Sequence, residues 1–440
     1  MATIAVLGTL DSKGEEHAFV AGLIAARGHK TVLIDVGTGG PATVVPDVTR
    51  EQIAAAAGID LATIMARQDR GECVVAMTKA APVMLAQLAA AGRIQGVVSL
   101  GGGGGTAIAT AAMRALPLGF PKLMVSTLAA GNVAPYLGTK DITMMPSIAD
   151  VAGLNRLSRV IFTRAAGAIC GMVESEPKVE AARPLVVASQ FGNTTACVTE
   201  AKKVLEAAGY EVLVFAATGI GGRIMESVIE SGIVAGVLDI TTTEWADELV
   251  GGNLNAGPER MDAAAKANIP VVVAPGCLDM VNFGEQASIP AQFAGRTFYV
   301  HNPQVTLMRT TPEECAQLGR ILAEKINRYT APVTVLLPLG AISVISAPGK
   351  PFHSPEADAA LFTALRQNLR PDIPVIEHAV EINDPLFARA CAEALLGQLK
   401  GWSQRILLPE FARLKNEGAY TARPGDRDIT DLISDDRDGR

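Results

Sequence analysis

Aromatic residues make up only 4% of this 440-residue chain while glycine and alanine abound, a balance that suits helices packed closely on a parallel sheet. None of the six cysteines stands in a C-x-x-C pair. They are spread over the whole length, as reduced cytosolic thiols are, and no zinc site is legible. Positive charge is not in excess: the net charge is −7 and the pI near 5.4, which argues against a nucleic-acid surface. Missing too are a basic stretch with a following apolar one at the N-terminus and any run of ~18 apolar residues. Neither a secretion signal nor a membrane span is therefore expected, and the reading is cytoplasmic. No G-x-x-x-x-G-K-[ST] occurs, and neither Gly8–Gly14 nor Gly101–Gly105 completes G-x-G-x-x-G, which disfavours a Walker-type ATPase and a dinucleotide. What is present is ample apolar content, 49%, in a chain long enough for two or three domains.

The most informative stretch is Gly101-Gly102-Gly103-Gly104-Gly105-Thr106. It follows the apolar run Gly96–Leu100, a buried strand, and precedes Ala107–Met113, a helix. A βα turn needs one or two glycines, and each further one costs about 0.5–1 kcal/mol relative to alanine. Five in a row point to a ligand that approaches the backbone closely. A phosphate fits: the unpaired N–H groups and dipole of the helix start would face it, with the Thr106 hydroxyl capping the helix or reaching the anion or its Mg²⁺. The alternative is a loose glycine-rich turn without a ligand.

Strands alternate with helices throughout, which implies right-handed βαβ units and a parallel sheet. Thr3–Leu7 reads as a strand, Gly8–Gly14 as a turn into a helix from Glu15 to about Arg27 that Gly28 stops, and Thr31–Val36 as a second strand. Asp35 stands near that strand's carboxyl end, where open α/β sheets place ligands. Residues 37–72 are an excursion, a candidate lid, with a capping box at Thr49-x-x-Gln52. Lys122–Ser126 is another strand, whose loop reaches Gly131 and Asn132. The second half repeats the first. Leu185–Gln190 and Glu211–Phe215 run parallel to residues 3–36 with Gly209 matching Gly28, Gly92-x-x-x-Gly96 is echoed by Gly232-x-x-x-Gly236, and Lys122–Asn132 by Val271–Asn282. The expected fold is α/β: two doubly wound, Rossmann-like parallel-sheet lobes, 1–176 and 177–420, with a cleft between them, and a charged tail, 421–440, that reads as disordered.

Where the first half has its glycines, the second has Thr241-Thr242-Thr243-Glu244. Hydroxyls and a carboxylate there suit a polar substrate or a metal, which makes Glu244 the candidate catalytic base or Mg²⁺ ligand. Alternatively, Thr243 caps a helix and Glu244 favours its positive end. Cys277 lies in a loop at the same edge, either a nucleophile or simply a small loop residue.

The segments Gly8-Thr9-Leu10-Asp11-Ser12-Lys13-Gly14-Glu15-Glu16, Gly101–Thr106, Ser189–Thr195, Thr241–Gly252, Pro275–Gly284 and Pro338–Phe362 together resemble the Tm-1-like ATP-binding family. These are uncharacterised microbial proteins similar to the amino-terminal region of the tomato antiviral protein Tm-1, and the resemblance covers nearly the whole chain. It implies two Rossmann-like subdomains, ATP with Mg²⁺ at the first, and a homodimer, but no known reaction. It puts the nucleotide phosphates on Gly101, Gly102, Gly103, Gly104, Gly105 and Thr106, and on the first βα turn with Thr9, Asp11 and Lys13. Asp35 stands where such a lobe often holds the ribose hydroxyls, beside a purely structural alternative, and Gly131 and Asn132 complete the expected nucleotide-binding set. The metal ligands are left open. The expected function is an ATP-binding enzyme that acts on a small polar metabolite by phosphoryl- or adenylyl-dependent chemistry, or else a non-catalytic ATP-sensing or scaffold dimer.

Overall fold

The computed structural model describes residues 1–175 and 183–416, and the chain divides into two compact units, Met1–Ala182 and Arg183–Arg440. The tail 421–440 lies outside the described residues, as does the expected linker from 176 onward.

The first unit runs β1 (Thr3–Gly8), α1 (Leu10–Ala26), β2 (Lys30–Asp35), α2 (Arg50–Ala56), α3 (Leu61–Ala66), α4 (Arg70–Ala90), β3 (Gly96–Gly101), α5 (Gly103–Arg114), β4 (Lys122–Ser126), α6 (Ala134–Leu137), β5 (Thr143–Pro146) and α7 (Arg156–Glu174). All strands pair in parallel, in the order β2-β1-β3-β4-β5. Helices cover both faces, so the strands are apolar on both. Ile4, Val6, Val98 and Leu123 share a core with Val20 of α1 and Phe162 of α7, while Ala5, Leu7, Val97 and Met124 share the other with Met77 of α4 and Ile108 of α5. By length and composition alone α4 could cross a membrane. Its Met77, Ala80, Ala81 and Leu85 are buried in this core, as a core helix requires.

The second unit runs β6 (Leu185–Gln190), α8 (Thr195–Ala207), β7 (Glu211–Ala216), α9 (Ile220–Glu230), β8 (Val234–Thr241), α10 (Glu244–Val250), α11 (Asp262–Ala267), β9 (Val271–Gly276), β10 (Met280–Phe283), β11 (Phe298–Asn302), β12 (Val305–Arg309), α12 (Pro312–Ile326), β13 (Val333–Pro338), α13 (Pro355–Asn368), β14 (Val375–His378) and α14 (Pro385–Asn416). Its parallel sheet has the order β14-β13-β9-β8-β6-β7, the arrangement of the first unit with one strand added, and β10-β12-β11 form a small antiparallel sheet. The repeat extends to helix ends: Gly28 and Gly209 hold φ of +87° and +91°, Gly92 and Gly232 of +64° and +78°, left-handed stops that favour glycine. The protein is thus built of two Rossmann-like parallel α/β units.

In each sheet the first strand is flanked by the second on one side and the third on the other. The chain direction across the sheet therefore reverses between β1 and β3, and again between β6 and β8. Crevices at the carboxyl ends of such reversals are where open α/β sheets take ligands.

Candidate functional site

At the β1/β3 reversal the first unit holds a cavity of ≈ 1200 Å³, lined by the loops after all of its strands and by the turn from α3 into α4. Thr9, Asp11, Lys13 and Gly102–Gly105 line it together, as expected; Gly101, Thr106, Asp35, Gly131 and Asn132 do not.

The glycines divide into two kinds. A Cβ on Gly101 would stand 3.1–3.3 Å from the Gly105 and Thr106 backbone, so packing of the loop on itself requires that glycine. No such reason applies to the next four. None has a positive φ, a Cβ on Gly103 would meet nothing within 4 Å, and on Gly102, Gly104 and Gly105 the nearest atoms would lie at 3.5–4.0 Å, ordinary contact. Gly102 is the N-cap of α5 without a side-chain cap, and the helical ladder begins with Thr106 N donating to Gly102 O at 2.8 Å. The N–H groups of Gly103, Gly104 and Gly105 precede that bond and belong to the unpaired first turn.

Around this cradle each polar residue has a definite task. Asp11 Oδ2 accepts from Gly39 N at 2.6 Å and Gly40 N at 3.3 Å, while Oδ1 is buried without a partner. The Lys13 ammonium does not point free into the cavity: it donates to the Val151 carbonyl and pins the segment after β5 across the start of α1. The helix expected from Glu15 begins at Leu10 and breaks at Lys13 (φ −135°). The carbonyl released there accepts from His17 Nδ1 at 2.6 Å, and His17 Nε2 accepts from Leu100 N at 3.3 Å, so a buried imidazole ties the β1 turn to the end of β3. Burial pushes the His17 pKa down, in keeping with a neutral ring.

Three expectations change. Asp35, 3% exposed, spends Oδ1 on Leu10 N at 3.0 Å and Gly37 N at 2.8 Å; it anchors the first turn of α1 instead of facing a ribose, and desolvation raises its pKa. The Thr106 hydroxyl is turned into the core, 2.7 Å from Ser126 Oγ. Asn132 Oδ1 accepts from Ala134 N at 3.2 Å, a local side-chain turn ahead of α6, and Gly131 N closes the preceding turn on Leu128 O.

Two lining features were not foreseen. Ile148 sits at φ +64° in a γ-turn, Ala149 N donating to Ser147 O at 2.7 Å, yet it is 75% exposed at the cavity. A β-branched residue there stores strain of about 1–3 kcal/mol, and such strain gathers at ligand sites. The other is Arg70, the first residue of α4, whose Nη2 lies 3.9 Å from the position of a Cβ on Gly104. The sequence places it at the end of the 37–72 excursion, where nothing distinguishes it from a surface arginine.

Residues 2–178 match the N-terminal domain, and residues 183–399 the C-terminal domain, of the uncharacterised protein family UPF0261. The chain belongs to the UPF0261 family. A UPF0261 protein of Clostridium tetani is 47% identical over 399 residues, 90% of this chain and 99% of its own. The ToMV resistance protein Tm-1(GCR237) of Solanum lycopersicum is 41% identical over 337 residues, 74% of this chain but 44% of the tomato protein, so the resemblance to Tm-1 is one of homology. A UDP-N-acetylglucosamine 2-epimerase of Rickettsia bellii aligns with 61% of this chain and 78% of its own at 11% identity, with a TM-score of 0.21 that carries no argument.

In this UPF0261 protein the equivalent reversal of the second unit is filled by its own side chains. Arg260, 1% exposed, donates through both Nη atoms to Asp239 at 2.7 Å, through Nε to Glu244 Oε2 at 2.7 Å, and through Nη1 to Glu226 at 3.2 Å. Glu244 Oε1 accepts from Gly219 N at 2.7 Å and Gly222 N at 3.1 Å. The expectation of Glu244 as a catalytic base is therefore corrected: the carboxylate is buried, paired with an arginine, and caps a neighbouring helix, α9. Thr243 makes no capping bond. Cys277 is fully buried at φ +62°, and burial with Asp279 nearby pushes its thiol well above the ordinary range, which rules out a ready nucleophile. The readable signal was Asp239, a carboxylate inside the apolar strand Val234–Thr241 that demands a partner.

Proposed function

We propose that this UPF0261 protein binds ATP with Mg²⁺ at the crest of its first unit and uses it in phosphoryl- or adenylyl-dependent chemistry on a small polar metabolite. The observation that carries the reading is Gly102–Gly105: four glycines that neither dihedral angle nor internal packing requires, facing a cavity from a helix start. At about 0.5–1 kcal/mol each they are a standing cost that a phosphate on the exposed N–H groups offsets.

The residues present also fit a divalent cation. Asp11 offers a buried oxygen without a partner, and Asp150 Oδ1 stands 4.0 Å from the Cβ position of Gly102. Among the described residues no three His, Cys, Asp or Glu side chains gather as a metal site, so Asp11 and Asp150 would hold Mg²⁺ together with the phosphates themselves. The ion supplies neutralisation of phosphate charge. Met65, Val74, Ile108 and Ile148 give the cavity an apolar side suited to a purine face. Adenine in particular rests on the kinship with Tm-1-like proteins. The volume, ≈ 1200 Å³, exceeds the roughly 300–1,000 Å³ of common small-ligand pockets and leaves room for a second reactant.

The loss of Glu244 as a base favours a second reading, an ATP-responsive dimer without turnover. Calorimetric titration with Mg-ATP tests the shared part, and no heat and no melting shift at millimolar ATP refutes both readings. ATP hydrolysis or transfer screened against a metabolite library, with light scattering for the dimer, then separates them.

A further inference from the structure

We infer that Arg70 is the residue that recognises the terminal phosphate and sets a preference for nucleoside triphosphates over di- and monophosphates; the inference rests on the phosphate reading of the glycine cradle. Three observations carry it. First, Arg70 lines the cavity with Nη2 3.9 Å from the Cβ position of Gly104, over the first turn of α5 where the N–H groups are unpaired. A planar guanidinium beside backbone donors is a bidentate partner for phosphate oxygens.

Second, the other cations nearby are committed. Lys13 is on the Val151 carbonyl, Arg50 on the Gly37 and Gly40 carbonyls and on Glu51, and Arg67 on Glu72. Arg70 has no hydrogen bond or ion pair among the described residues.

Third, its position is locally unfavourable. Arg70 opens α4 directly after the N-cap Asp69, at the positive end of the helix dipole, where acidic side chains are favoured and a cation is repelled. Neither acidic neighbour forms an ion pair with Arg70: Asp69 caps the helix through Glu72 N at 2.9 Å, and the Glu72 carboxylate pairs with Arg67. An arginine kept at the wrong end of a helix, unpaired and aimed at an anion cradle, is explained by an anion. Without one, the lining carries the carboxylates of Asp11, Asp69 and Asp150 against Lys13 and Arg70, so a polyphosphate finds no other uncommitted side-chain cation there.

The test is calorimetric titration of the full-length wild type, Arg70→Ala, Arg70→Lys and, as a control with a nearby arginine outside the cavity lining, Arg67→Ala, each with ATP, ADP and AMP at fixed Mg²⁺. The expected result is a 10- to 100-fold loss of ATP affinity in Arg70→Ala, a smaller loss for ADP and none for AMP, with partial recovery in Arg70→Lys and no change in Arg67→Ala. Equal losses for all three nucleotides, or an unchanged ATP affinity, overturn the inference and leave the nucleotide site standing. A wild type that binds none of the three overturns the site and the inference together. Should Arg70→Ala melt lower than the wild type, Arg70→Lys, which keeps the stem, carries the same ATP-to-AMP comparison.

Discussion

Adding a side chain to Gly103 separates folding from binding with opposite signs. A Cβ there meets no atom within 4 Å and φ is not positive, so the free protein accepts it without strain. Replacing a glycine by alanine at such a site reduces the freedom of the unfolded chain and stabilises by about 0.4–1 kcal/mol. For a unit of this size, a kilocalorie corresponds to roughly 2–4 °C in melting temperature, so Gly103→Ala raises that of the ligand-free protein by about 1–4 °C. The same space is where a phosphate must approach the first turn of α5. The branched side chain of Gly103→Val fills it, and Mg-ATP affinity falls at least 100-fold, which is about 2.7 kcal/mol. Gly101→Ala is the contrasting control. Its Cβ stands 3.1 Å from Gly105 Cα, so it lowers the melting temperature with or without a ligand. Differential scanning calorimetry and isothermal titration of the three variants suffice. A folded Gly103→Val protein with unchanged ATP affinity would refute the argument from glycine.

Glu244→Gln leaves Arg260 with Asp239 and Glu226 as counter-ions but replaces an oxygen by an amide that cannot accept, so one set of buried donors, Arg260 Nε or Gly219 N and Gly222 N, loses its partner at about 1–3 kcal/mol; calorimetry should find a destabilised protein whose ATP affinity stays within twofold of the wild type, whereas a fully stable variant with altered turnover would restore Glu244 as a catalytic base. Asp11→Asn removes the charge that suits Mg²⁺, so ATP affinity with Mg²⁺ falls about tenfold while affinity without the ion does not, an expectation checked by paired titrations in Mg²⁺ and EDTA. Acidity should act oppositely on the buried carboxylates of the second unit and on His17 of the first. Burial pushes Asp247 up to about 7 and Asp279 up to about 6, above their unfolded values, so the stability they lend is full below about pH 4 and lost as pH rises through 6 to 7. His17 is shifted down, so below about pH 6.5 the unfolded chain binds more protons and the His17 tie between β1 and β3 weakens as pH falls, while Asp35, shifted up, acts in the other direction at the end of β2. Hydrogen exchange resolved by strand should show β8–β10 better protected at pH 6 than at pH 8, and β1 and β3 less protected at pH 5 than at pH 7; the same trend in both sets of strands would contradict this assignment.

The fold was legible because its rules are local. Apolar runs punctuated by Gly28, Gly92, Gly209 and Gly232 mark parallel strands and helix stops, and their repetition marks two units with one strand order. The glycine cradle was legible for the same reason. What failed depends on partners far along the chain. Thr106 looks like a cap or ligand until Ser126 takes its hydroxyl; Asp35 looks like a ribose acceptor until Leu10 and Gly37 claim it; Glu244 looks like a base until Arg260, sixteen residues on, reaches it. Arg70 failed in the opposite direction, since only the fold brings the start of α4 over the start of α5.

The repeated architecture places the same topological reversal twice, and the third strand's loop decides what becomes of it. After β3 the chain supplies backbone alone, and the start of α5 has no side-chain cap of its own. After β8 it supplies Glu244, and β8 itself carries Asp239; with Glu226 these set three carboxylates around one place, which must find positive charge inside, and Arg260 provides it. The second arrangement is closed: Asp239 holds the guanidinium bidentately, Glu244 Oε2 takes its Nε, and Glu244 Oε1 takes Gly219 N and Gly222 N, which leaves no oxygen of these two carboxylates free for Mg²⁺. The two reversals thus differ in what occupies them: a cavity beside an uncapped helix start in the first unit, and a closed carboxylate–guanidinium cluster in the second. If the proposed nucleotide reading holds, affinity follows substitutions at Gly103, Asp11 and Arg70, which line or border the open cavity, and is indifferent to those at Glu244, which lies in the closed cluster.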